Sequence, residues 1–84
     1  MSKDKRHPHS KTVVIGKLKD DYGSTVALKV VLHRLRRTDD GVVWEPKRSH
    51  VFSAAFSRRA CREQARRLAD RWAAEYGAKV VMRD

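Results

Sequence analysis

The segment spanning residues 57–76 constrains the fold most. Cys61, Ala65, Leu68, Trp72 and Tyr76 recur there at steps of 4, 3, 4 and 4, which puts them on one face of a helix. Ala69 and Ala73 widen that face. Ser57 stands where an N-cap oxygen accepts a first-turn N–H, and Gly77 where a C′ residue turns left-handed. Such a helix is about 30 Å long. The rest of the chain reads as strands, so the apolar stripe has a sheet to pack on.

Residues 11–18 form the first strand candidate, with β-branched Thr12, Val13, Val14 and Ile15 in succession. The Asp20-Asp21-Tyr22-Gly23-Ser24 run breaks it. Residues 25–37 form the longest strand. Val26, Leu28, Val30 and Leu32 alternate with mixed residues, which predicts that those four face the core. Thr38-Asp39-Asp40-Gly41 is a hairpin signal, with Asp40 and Gly41 the natural turn pair. Residues 42–52 then return antiparallel. Pro46 lacks an N–H and belongs on an edge strand or at a bulge. Residues 78–82 supply a short last strand, with Val80 and Met82 inward.

The expected architecture is therefore α+β. Its order is β-β-β-α-β: an antiparallel sheet with one long helix on one face, and the last strand beside the first. At 84 residues the chain allows one domain. Residues 1–10 read as a flexible basic tail and residues 11–84 as the domain. No apolar run approaches the roughly 18 residues of a membrane span, and the polar start offers no signal-peptide core. A lone Cys61 excludes an internal disulfide framework and a Cys-based zinc cluster. The expectation is a cytoplasmic, non-membrane protein without a cofactor.

Charge points to the partner. Twenty Lys+Arg stand against ten Asp+Glu, a formal net charge of +10. The excess is spread along the chain: +3 in residues 1–24, +3 in 25–56 and +4 in 57–84. That balance suits a polyanion, and nucleic acid is the commonest. Two places stand out. Arg34, Arg36 and Arg37 leave one strand of the second hairpin, and Lys47 and Arg48 return on the other, with Trp44 available to stack on a base. Arg58, Arg59 and Arg62 crowd the helix start, where the dipole favours anions, and a phosphate would relieve them. Farther along the helix, Glu63 with Arg67, Arg66 with Asp70 and Arg71 with Glu75 read as i,i+4 pairs. Lys3, Lys5, Arg6 and Lys11, with only Asp4 against them, would add non-specific phosphate attraction.

Catalytic signals are sparse. No Gly-rich phosphate loop, GxSxG, HExxH or CxxC motif occurs. His7 and His9 lie in the tail. With an Asp40-Gly41 turn, His33 and His50 share the outward face of the hairpin; a bulge at Pro46 would put them on opposite faces. No carboxylate stands beside them. An RNA-cleaving role for His33, Arg48 and His50 is therefore a minor reading, and the chain is expected not to be an enzyme.

Three antiparallel strands followed by a helix resemble the arm-binding N-terminal domains of phage-type tyrosine integrases. The strand Val42-Val43-Trp44 and the run FSAAFSRRA over residues 52–60 carry the resemblance, with alanines at Ala65, Ala69 and Ala73 on the helix. It covers about residues 11–76 and implies a sheet face that reads the DNA major groove. Arg58-Arg59-Ala60 stands where that family often has an acidic residue after the helix start, and a final strand is added. No base contacts carry over. The sequence thus points to a small non-catalytic nucleic-acid-binding protein of mobile-element type, for DNA before RNA. The alternative is a protein-binding modulator or homodimer acting through an exposed edge strand.

Overall fold

The computed structural model describes residues 11–83, so the basic tail at residues 1–10 lies outside the described residues. The elements run β1 (Lys11–Lys19), β2 (Thr25–Thr38), β3 (Gly41–Ser53), α1 (Arg58–Tyr76) and β4 (Lys79–Arg83). They build an α+β fold whose four-stranded sheet has the order β3-β2-β1-β4, with α1 across one face.

β4 lies beside β1, as expected, but parallel to it, so the sheet is mixed rather than wholly antiparallel. The helix explains the direction. Its 19 residues cover about 28 Å, close to the length of β1. It therefore carries the chain back to the end of the sheet where β1 begins, and Lys79 comes out level with Thr12. The caps hold at both ends. Ser57 Oγ accepts from the Ala60 N–H at 3.1 Å. Gly77 takes φ 65°, and the Ala78 N–H returns to the Ala73 carbonyl at 2.9 Å.

The core is a single seam. Val13 and Ile15 of β1 and Leu28, Val30 and Leu32 of β2 meet Cys61, Ala65, Ala69 and Trp72 of α1. Phe52, Leu68, Tyr76 and Val80 pack around it. The Cys61 thiol is buried and donates to the Phe52 carbonyl at 3.1 Å. Two expected core positions fall at its margin. Val26 is 45% exposed and Met82 54% exposed, because both sit at the end of the sheet where the helix begins.

The hairpin differs from its expected register. Thr38 pairs with Gly41, so Asp39 and Asp40 form the turn and Gly41 starts the return strand. A bulge at Lys47, beside Pro46, then moves the register by one. β3 is also an edge strand, so Pro46 satisfies both conditions set for it.

Candidate nucleic-acid interface

The register divides the cations between two faces. Val13 and Leu32 are partners on the helix side, so Arg34 and Arg36 continue that side toward the hairpin tip. Thr12, Val14, Val31, His33, Leu35 and Arg37 belong to the other side, which no helix covers. The bulge places His50 opposite Val30 on the helix side and leaves His33 opposite Pro46 on the open side. The two histidines therefore do not share a face.

On the helix side, several expected phosphate-binding groups already have protein partners. Arg36 meets Glu45 at 3.1 Å, and Lys47 meets the same carboxylate at 3.7 Å. The Arg48 guanidinium lies 4.9 Å from the Trp72 ring centre and donates to the Tyr76 hydroxyl at 2.8 Å. Arg48 thereby ties β3 to the last turns of α1. Arg34 and Lys47 border a shallow pocket with Lys11 and Tyr76.

The open face is differently composed. Trp44 is 49% exposed and belongs to it. Trp44, His33, Lys79, Val81 and Arg83 line one depression of about 410 Å³. Lys29 pairs with Gly16, and Arg37 with Val42, so both extend the same face. Among the described residues this face carries four cations and no carboxylate. Glu45 is on the helix side, Glu63, Asp70 and Glu75 are on α1, and the remaining aspartates of residues 11–83 are in turns. Burial and the charge of Arg83 hold the His33 pKa below the ordinary histidine value. Val14, Val31, Leu35 and Val81 give the face a half-buried apolar floor.

At the helix start, Arg58 and Arg62 border a pocket with Lys17 and Leu28. Arg59 is not unpaired: it meets Glu63 at 3.6 Å, and Glu63 consequently pairs with Arg59 rather than with Arg67. The cap hydroxyl already occupies the Ala60 N–H. The helix start and the hairpin lie at opposite ends of α1, so the two basic places do not merge into one patch. Phe56, just before the cap, is fully exposed.

Two features escaped sequence reasoning. Lys29, Lys79 and Arg83 lie far apart in the chain, and only the β1–β4 pairing brings Lys79 and Arg83 beside Thr12 and Gly16. Arg67 and Arg71 read as internally paired, yet among the described residues neither forms an ion pair. They line a groove between β3 and α1. Alternation along β2 and β4 was the available signal for the first feature; nothing local signalled the second.

No family model matches this chain, and no curated protein or solved structure does either. Among the described residues no three His, Cys, Asp or Glu side chains gather as a metal site, and no helix is long and apolar enough to cross a membrane.

Proposed function

We propose that this domain binds nucleic acid, duplex DNA in the first place, through the open face of its sheet. One observation carries the reading: Lys79 and Arg83 border exposed Trp44, Lys29 and Arg37 extend the same face, and among the described residues that face holds no carboxylate. Cations placed so grip phosphates and release counterions. Trp44 offers a surface on which a base stacks, or a wedge at a base step. The resemblance to integrase arm-binding domains agrees with a sheet face laid against DNA. Arg34, Arg36, Lys47 and Arg48 on the helix side, and Arg58, Arg59 and Arg62 at the helix start, then act as outlying phosphate contacts or as structural groups.

A salt series with duplex DNA, single strands and RNA tests this reading. Affinity should fall linearly in log–log terms, and Lys79→Glu with Arg83→Glu should lower the slope by about 2, roughly one for each lost contact. Trp44→Ala should cost about 1–3 kcal/mol on any strand that stacks on it. Binding that ignores salt, or survives reversal of Lys79 and Arg83, would sink the proposal.

A further inference from the structure

The groove between β3 and α1 combines two features. The first is a free strand edge. β3 is one of the two outer strands of the sheet. The Ala54 N–H donates to the Val26 carbonyl at 2.9 Å, and the register runs unbroken from Ala27–Ser53 to Leu32–Arg48. Bonded and non-bonded pairs alternate in an antiparallel ladder. Phe52, His50 and Arg48 therefore bond inward to β2, while Val51 and Ser49 turn their N–H and C=O groups away from the sheet. Among the described residues nothing hydrogen-bonds to those outward amides.

The second feature is charge. The groove, about 400 Å³, is lined by Arg48, Arg67, Arg71 and His50 over Leu68 and Trp72, and no carboxylate lines it. Arg67 and Arg71 form no ion pair among the described residues.

We infer that the β3 edge accepts an extended acidic segment of a partner protein as a fifth strand. Such a segment continues the ladder at Ser49 and Val51, and every second side chain points toward the helix side. Carboxylates at those positions meet Arg67 and Arg71. Nucleic acid has charge for the arginines but no peptide groups for the edge. A second copy fits poorly, because pairing β3 with β3 brings Arg48, Arg67 and Arg71 of both copies together.

An alternating Val-Glu octapeptide and its Val-Lys counterpart serve as probes, together with duplex DNA. The acidic peptide should bind about tenfold or more tightly than the basic one, and should slow exchange of the Ser49 and Val51 amides. Val51→Pro removes an outward donor without breaking the ladder to β2 and should weaken the acidic peptide about tenfold. Should that variant fail to fold, Ser49→Pro probes the neighbouring outward position. Arg67→Glu with Arg71→Glu should weaken the peptide similarly and leave duplex binding at the open face in place. Equal binding of both peptides, or indifference to the proline variants, overturns the inference. So does a loss of duplex affinity in the arginine variant with no peptide bound, which makes the groove a phosphate contact. Self-association through β3 that the peptide does not compete away overturns it as well.

Discussion

Arg48 shows how one residue can suit two roles in sequence and one in structure. By composition it belongs with the hairpin cations. In space it lies against Trp72 and bonds to Tyr76. Arg48→Ala should therefore cost about 1 kcal/mol, roughly a 4–8 °C fall in Tm for a domain of this size. Arg48→Lys should recover only part, because an ammonium lacks the planar fork. Thermal melts that show no change in Arg48→Ala would leave the contact idle. His33 makes a second residue-level case. Burial first, then Arg83, holds its pKa below the ordinary 6.5. The unfolded chain thus takes up this proton before the folded one. The stabilising contribution is complete above the unfolded value and is lost as pH falls through the window down to the folded value. Between about pH 7.5 and about pH 5.5, wild-type Tm should drop more than that of His33→Gln. Equal pH profiles would refute the assignment.

At the scale of elements, the hairpin divides into a supported and an unsupported part. β1 reaches β2 only as far as Arg34. Beyond it, β2 and β3 run on as a two-stranded ribbon to the turn at Asp39 and Asp40, and two strands alone are marginally stable. Amides at residues 36–43 should therefore exchange well ahead of those at Val30 and Leu32 in native-state hydrogen exchange. Uniform protection along β2 would contradict this. The elements themselves were legible in the sequence, because each has a local cause. Thr12 to Ile15 are β-branched, Ser57 and Gly77 bracket a 3.6-residue period, and Pro46 announces a bulge or an edge. The register was not legible. Asp40-Gly41 is a good turn pair by propensity, but the ribbon turns one residue earlier, and the extra residue at Lys47 then flips His50 to the helix side. A register depends on both strands and on what covers them.

For the whole molecule, the decisive fact is the segregation of acids from one face. The net charge of +10 is spread evenly along the chain, so no window of sequence displays it. Strand alternation sorts it: among the described residues the acids fall on α1, in turns or beside Arg36, and the open face keeps its cations. That part of the candidate site could be read only once β4 had been placed beside β1. The same adjacency sets an order of events in synthesis. The first strand of this domain is a central one, and its outer neighbour is the last element made. Until α1 and β4 have left the ribosome, Val13 and Ile15 have neither their helical cover nor their second lateral partner. At about 5–20 residues per second, that leaves an apolar strand waiting for several seconds. The sheet of this domain can close only after β4 has been made.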